Sequence, residues 1–270
     1  MFLPRGSRMS VSSNQDALTD RRLRVIIDDL PGDPFFNVAL EEAIIRANPH
    51  KPVMPTLRLW RCGESVVMGY GRRVDDDVFI KSVESDGIPL VRRSSGGGTV
   101  YHHPDNFCYS FYLPYAWKEL KPRERFADSV RLLCGLIEKT IKKCGFSAEI
   151  SNRGDIIIEG RKFSGTAQQR VRYSMCHHGT ILMTTHSGEM DRYLKIPTGR
   201  QSKHSEFCRG LLESGYQGEA WDIYRKLIDV SCDRLNLKPF EGNLTDEEKN
   251  TAGELEQHKY RRMEFIKRFQ

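Results

Sequence analysis

One amphipathic block, Arg123 to Lys143 (RERFADSVRLLCGLIEKTIKK), most narrows the folds open to this chain. Phe126, Val130, Leu133, Ile137 and Ile141 recur on one helical face, and the block stops at Gly145, just past a basic last turn. Strand-like runs stand on both sides of it. RVIIDD (24–29), TLRLW (56–60), SVVMGY (65–70), Leu90-Val91, TVYHH (99–103) and NFCYSFYL (106–113) precede it; DIII (155–158), KFSGTA (162–167) and MCHHGTILM (175–183) follow it. Strands before and after one long helix predict a shared sheet, and therefore a mixed α/β (α+β) layer with helices packed against it.

Further elements fill in the order. Asn37 to Asn48 (NVALEEAIIRAN) predicts a helix after the first strand, and the turn residues Gly63 and Glu64 predict a hairpin between TLRLW and SVVMGY. GEAWDIYRKLIDVSCDRLN (218–236) is amphipathic, and Thr245 with Glu248 predicts a capping box opening a charged helix that runs to Phe269. There is no internal repeat. The expected division is a leader over 1–22, one main domain over 23–240 and a helical C-terminal tail over 241–270.

Composition excludes several function classes. No run approaches the roughly 20 apolar residues of a membrane span, and mean hydropathy is −0.54. The net charge of +6 suits an acidic protein or phosphate-bearing partner but falls short of a nucleic-acid footprint. The seven cysteines are odd in number, scattered and free of C-x-x-C pairs, as reduced thiols of a cytoplasmic protein would be. The N-terminal MFLPRGSRMS lacks the apolar core of a secretory signal; its LPRGS reads as an added protease-site sequence, with Met9 as the native start. Asp16 and Asp20 argue against a mitochondrial presequence.

Three segments carry chemistry. In Arg92-Arg93-Ser94-Ser95-Gly96-Gly97-Gly98-Thr99-Val100-Tyr101-His102, three glycines let backbone N–H groups approach an anion, and the guanidinium pair can fork onto carboxylate or phosphate; a glycine-rich hairpin with solvated arginines is the plain reading. It is neither a Walker A loop nor a dinucleotide fingerprint, since no G-K-[ST] closes it and a strand follows. In Asp155 to Ala167, a strand turns at Glu159-Gly160 and returns with Lys162, whose neighbours Ser164, Gly165 and Ala167 leave room for a ligand; a fixed ammonium there can stabilise charge at an acyl or phosphoryl centre. In Cys176-His177-His178-Gly179-Thr180, alternation puts Cys176 and His178 on one face and His177 on the other. This allows a Cys/His dyad or, more plainly, one buried and one exposed histidine. Zinc spacing is missing.

Together, R-R-x-S-G-G-G-x-V-Y-H, D-I-x-x-x-G-R-K-x-S-G-x-A and H-H-G-T-x-L, in that order over 92–182, resemble the catalytic domain of lipoate-protein ligases within the biotin/lipoate ligase and octanoyltransferase superfamily. Asn37 to Glu42, PTLRLW with VVMGYG over 55–71, and the T-D-E-E tail extend the resemblance to about residues 25–265. It implies a largely antiparallel mixed sheet flanked by helices, like class II aminoacyl-tRNA synthetases. It also implies an ATP-dependent enzyme that makes lipoyl- or octanoyl-adenylate and passes the acyl group to a lysine of a lipoyl acceptor domain, in 2-oxoacid dehydrogenase complexes or the glycine cleavage H protein. Carried over by residue, Lys162 is the catalytic lysine; Arg93, Ser95, Gly96, Gly97, Gly98, Tyr101 and His102 lie at the nucleotide and lipoyl groups; Gly165, Ala167, His178 and Gly179 line the substrate pocket; and Asp155 stands on the Mg²⁺ and phosphate side.

The chain departs from the family pattern in places. His103 stands where these ligases often carry an acidic residue, and Gly154 where an Asn is common. The sequence stops soon after Lys238, where larger ligases continue into an accessory domain, which implies a separate accessory subunit or incomplete adenylation. Two other readings stay open: an ATP-independent octanoyl or lipoyl transferase, and a non-catalytic module that binds lipoyl domains. Of the thioester cysteines of the transferases, one position is empty over 145–161 and the other reads Pro197-Thr198-Gly199, leaving Cys176 as the candidate nucleophile.

Overall fold

The computed structural model describes residues 21–47, 52–114, 126–197, 199 and 202–269. Residues 1–20 of the expected leader, with its added sequence and Met9, the first residues of the Arg123 helix, Asn48 and Thr198 lie outside them, while Arg22, placed in the leader, opens the first strand.

In chain order the elements are β1 (Arg22–Gly32), α1 (Pro34–Arg46), β2 (Thr56–Cys62), β3 (Ser65–Met68), α2 (Val74–Asp77), α3 (Ile80–Ser85), β4 (Leu90–Arg92), β5 (Val100–His102), β6 (Phe107–Pro114) and α4 (Phe126–Lys143). There follow β7 (Ala148–Ile150), β8 (Ile156–Ile158), β9 (Arg161–Arg170), β10 (Ser174–Ile181), α5 (Ser187–Tyr193), α6 (His204–Phe207), α7 (Ala220–Leu235), β11 (Lys238–Glu241), α8 (Asp246–Leu255), a π-helical turn (Glu256–Tyr260) and α9 (Met263–Ile266). Eight strands form one sheet in the order β11-β1-β2-β6-β10-β9-β8-β7, antiparallel except where β1 pairs with β11 and β2. The mixed, largely antiparallel sheet read from the sequence is the one observed.

β6 is central and buried throughout, so both of its faces need cover. Phe107, Tyr109, Phe111 and Leu113 meet Leu133, Ile137 and Ile141 of α4 and Ile223, Leu227 and Val230 of α7. Tyr112, on the other face, packs with Leu40 and Ile44 of α1. Each fully buried aliphatic side chain contributes about 1.5–3 kcal/mol, which makes this two-sided core the main source of stability. The Asp33 carboxylate starts α1 by accepting from the Phe35 and Phe36 N–H groups at 2.9 and 3.0 Å, with Pro34 in the first turn.

The expected hairpin over Gly63-Glu64 does not form. β2 has both edges taken by β1 and β6, so the chain leaves the sheet, and β3 becomes the middle strand of a separate three-stranded sheet ordered β4-β3-β5. For the same reason the Arg-Gly loop is no hairpin. It spans the top of β3, which lies between β4 and β5.

The expected C-terminal helix is broken. Its capping box forms, with Glu248 N–H donating to Thr245 Oγ1 at 3.1 Å and Thr245 N–H to Glu248 Oε2 at 2.8 Å. The helix then widens into the π turn, which brings Lys259 Nζ to 2.5 Å from Glu42 Oε2 and the Tyr260 hydroxyl onto the same carboxylate. Arg24 forks onto Glu248 at 2.6 and 3.0 Å, and Arg92 donates to the Ile266 carbonyl at 2.6 and 2.9 Å, so the tail is pinned to β1, α1 and β4. Among the described residues no helix is long and apolar enough to cross a membrane.

Candidate functional site

A cleft of about 380 Å³ opens between the two sheets, walled by the Arg93–Val100 loop, β9, β10 and α1. β8 and β9 deliver its central charge pair. They join through Glu159 at φ 50° and Gly160 at φ 75°, the left-handed conformations of a two-residue hairpin, so β9 returns beside Asp155. Lys162 Nζ then sits 2.8 Å from Asp155 Oδ1, both side chains partly exposed to the cleft. Gly165 leaves the ammonium in place, since a Cβ would fall 2.8 Å from Lys162 Nζ and push it aside. Of the small residues after Lys162, Gly165 makes room for the lysine itself.

The glycine loop is shaped from inside. Arg93 is buried, and its guanidinium donates to the carbonyls of Gly96 at 2.6 Å, Gly98 at 2.8 Å and Val67 at 3.2 Å, and to Ser95 Oγ at 2.9 Å. Burial lowers its pKa to about 10, which leaves it charged at neutral pH. Arg92 is likewise spent on backbone carbonyls of Gly69, Tyr70, Arg72 and Ile266. The expectation of two arginines free to fork onto a ligand is therefore corrected: they satisfy carbonyls that a tight glycine turn and a docked tail leave without partners. Gly97, at φ 86°, approaches Gly69 so closely that a Cβ on Gly69 would overlap the Gly97 carbonyl.

A buried polar chain ties the loop to the sheet. Ser95 Oγ lies 2.7 Å from His178 Nε2, His178 Nδ1 lies 2.6 Å from Glu41 Oε1, and that carboxylate accepts from Ser110 Oγ at 2.7 Å, which accepts from Trp60 Nε1 at 2.9 Å. Burial pushes the Glu41 carboxyl up, but the His178 imidazole and the hydrogen bonds from His178 and Ser110 outweigh it and hold it below the usual range. His102, nearby, is driven down to about 4 by burial and then by the Arg93 charge, so it is neutral.

Of the residues expected at the site, Arg93, Gly97, Gly98, His102, Asp155, Lys162, Gly165, Ala167, His178 and Gly179 line the cleft. Ser95, Gly96 and Tyr101 stand behind it. Ser95 holds His178, the Gly96 carbonyl holds Arg93, and the Tyr101 hydroxyl donates to Glu64 Oε1 at 2.6 Å while its ring packs on Tyr193. Alternation in β10 is as expected, with His177 on the opposite face 3.0 Å from Gln168 Nε2, but both histidines are buried, not one. Both His178 nitrogens are engaged, and burial raises the Cys176 thiol well above its ordinary pKa, so no Cys/His dyad exists.

Residue-by-residue reading missed Glu41, Trp60, Arg72, Asp77, Thr99 and Lys195 in the cleft wall. Two acidic residues within an apolar helical run, Glu41-Glu42, were the available signal for the first. Trp60 stood in the PTLRLW segment of the resemblance without a role, and Asp77 is made a site residue only by converging bonds from Arg72 and Thr99.

Known proteins resemble this chain in sequence and in fold. Residues 33–210 match the family described as the lipoyl protein ligase A/B catalytic domain. Lipoate-protein ligase A of Blochmanniella pennsylvanica is 32% identical over 234 residues, 77% of this chain and 65% of its own length. A Mycoplasma pneumoniae relative of the same family name is 32% identical over 163 residues, 60% of this chain and 46% of its own length. The chain thus spans less than two thirds of either relative. In fold it is similar to a bipartite lipoate protein ligase from the archaeon Thermoplasma acidophilum, solved in work that includes its E2 lipoyl domain, with a TM-score of 0.80 at 22% identity over 93% of this chain and 98% of that one. It is similarly close to a lipoate-protein ligase A bound with ATP, at a TM-score of 0.79 and 22% identity over 92% and 98%. With a match that takes in more than half of its residues, this chain belongs to the lipoyl protein ligase A/B catalytic-domain family.

Proposed function

We propose that the chain activates lipoate or octanoate with ATP as an acyl-adenylate and transfers the acyl group to a lysine of a lipoyl acceptor domain. The observation that carries this reading is the Lys162–Asp155 pair, 2.8 Å apart, facing the glycine loop across one cleft. Forming an acyl-AMP brings a carboxylate against a polyphosphate, and a fixed ammonium is the group that offsets the charge that develops between them. Lys162 fills that role, with Asp155 aiming its Nζ and Gly165 leaving it room. The exposed backbone of Gly97 and Gly98 receives anionic oxygens, held in shape by Arg93 from below. Val38, Trp60 and Val67 offer apolar wall to the acyl chain, with neutral His102 beside them.

Asp155 also fits Mg²⁺. Its Oδ1 serves Lys162, leaving a second carboxylate oxygen in a cleft built for phosphate, and one carboxylate plus substrate oxygens is how Mg²⁺ is usually held. The ion would supply charge neutralisation on the phosphates. The acid's carboxylate attacks the α-phosphate and pyrophosphate leaves; the neutral amine of the acceptor lysine then attacks the acyl carbonyl, the C–O bond to phosphate breaks, AMP leaves, the amine proton passes to solvent and an amide forms. The acceptor partners are lipoyl domains of 2-oxoacid dehydrogenase complexes or the glycine cleavage H protein, joined by an accessory subunit, in the cytoplasm. A cysteine-based transfer has no support, since Cys176 is buried and its thiol protonated.

The test is intact-mass spectrometry of a lipoyl acceptor domain incubated with the protein, lipoate and Mg²⁺, with and without ATP. A lipoyl-sized gain only with ATP is expected. Modification without nucleotide would move the assignment to a transferase, and saturable binding without any mass change to a docking module.

A further inference from the structure

Away from the cleft, the fold gathers three groups that the function does not use. His103 Nδ1 lies 3.3 Å and His186 Nε2 3.2 Å from Asp105 Oδ2, and the two imidazoles stack with centres 3.6 Å apart. One ligand atom from each residue lies within 4.8 Å of the other two. His186 Nε2 is buried and makes no hydrogen bond, although a carboxylate oxygen is this close. A buried ring nitrogen near an acceptor yet not in line with it is a position that an ion can fill.

The spacing identifies that ion. Tetrahedral coordination with bonds of about 2.0–2.1 Å puts neighbouring ligand atoms about 3.3–3.4 Å apart, close to the two separations from Asp105 Oδ2, and it sets the centres of two ligating rings about 5 Å apart, so the imidazole stack opens when the ion binds. The backbone turns the ring there: His186 takes φ 50°, ψ 47° immediately before α5, a left-handed conformation in which histidine is enriched among non-glycine residues. The sequence points the same way, since His103 stands where the family pattern carries an acidic residue. Asp105 is 58% exposed, so the fourth coordination position opens to water.

We propose that His103, Asp105 and His186 form a site for one divalent transition metal of the zinc class, distinct from the cleft. The ligand set of two imidazoles and one carboxylate suits zinc, cobalt or nickel better than Mg²⁺ or Ca²⁺, which take oxygen. The Asp105 N–H contact to His103 Nδ1, long at 3.2 Å, is given up when the metal binds. The ion clips the turn between β5 and β6 to the segment before α5, which Asn106 already holds by accepting from Met183 and Thr184 N–H at 2.7 and 3.1 Å.

The test is calorimetric titration of the full chain with ZnCl2, and with CoCl2 followed by visible absorption, on the unaltered protein and on His103→Ala, His186→Ala and the near-isosteric Asp105→Asn. One equivalent of metal and cobalt d–d bands are expected. Loss of an outer-shell partner alone weakens metal sites by about 10–100-fold, so each substitution should weaken binding more than tenfold with an unchanged circular dichroism spectrum. Absence of stoichiometric binding would overturn the site, as would binding that all three variants retain, which would place the metal elsewhere, for instance at the Glu41, Cys176 and His178 cluster.

Discussion

His178 Nε2 lies 2.7 Å from Ser95 Oγ, and this contact is the joint between the sheet and the glycine loop. Behind it Glu41 engages the other ring nitrogen at 2.6 Å, so a helix, a strand and a loop share one proton network. The arrangement has the order of a serine–histidine–carboxylate triad. Ser95, however, is 2% exposed and receives a hydrogen bond from Arg93 Nε, which makes it an anchor for the loop and not a nucleophile.

Glu41→Gln should therefore loosen the loop without emptying the core. The substitution removes the charge that pairs with His178 and leaves buried polar groups imperfectly matched, at a cost of about 1–3 kcal/mol. Urea unfolding should show that loss, and adenylate formation should show a raised KM for the acid. Equal values for both would mean that the network does not set the loop.

Lys162→Ala and Gly165→Ala form a matched pair. Removing the ammonium should slow acyl-adenylate formation by about 10²–10³-fold, the usual effect of deleting one preorganised group at a developing charge. Gly165→Ala leaves the lysine in place but drives a Cβ against its Nζ, displacing a flexible end and not a backbone. It should lose much of the rate with little change in melting temperature. An active Lys162→Ala would remove the assignment of this residue.

Stability should fall on acidification. Burial lowers His102 from 6.5 to about 4 and His177 from 6.5 to about 3, so between those limits the unfolded chain binds protons that the native one refuses. The free energy of unfolding therefore rises with pH across that window and levels above it, each group adding up to about 1.4 kcal/mol per pH unit. Denaturant titrations from pH 4 to 8 should show the slope, and His177→Gln should flatten it. A flat profile in the parent protein would contradict burial of both rings in neutral form.

The C-terminal segment is held by ion pairs more than by its own helicity. Arg24→Ala leaves Glu248 as a buried charge without its fork, which typically costs about 3–5 kcal/mol. Amide exchange over 246–266 should accelerate more than exchange in α4. Uniform protection would mean that the tail is secured elsewhere.

Elements with a local cause were legible in the chain. The Arg123 block shows its buried face through i, i+4 spacing, the Thr245–Glu248 box through side chains three apart, and the Glu159-Gly160 turn through its need for left-handed backbone. The three ordered motifs, through the family resemblance they carry, pointed to Lys162, Asp155 and eight further residues of the cleft wall.

What depends on contacts between distant segments was not in the chain order. Which strands share an edge sent β2 and β3 into different sheets, where two turn residues suggested a hairpin. The destination of a long cation also depends on what surrounds it once folded: Arg92 and Arg93, suited by chemistry to bind anions, are drawn instead to unpartnered carbonyls within 3.2 Å. Glu41 became the third member of the His178 network only when α1 packed across the sheet, because hydrogen bonds act over about 3 Å in space whatever the separation along the sequence.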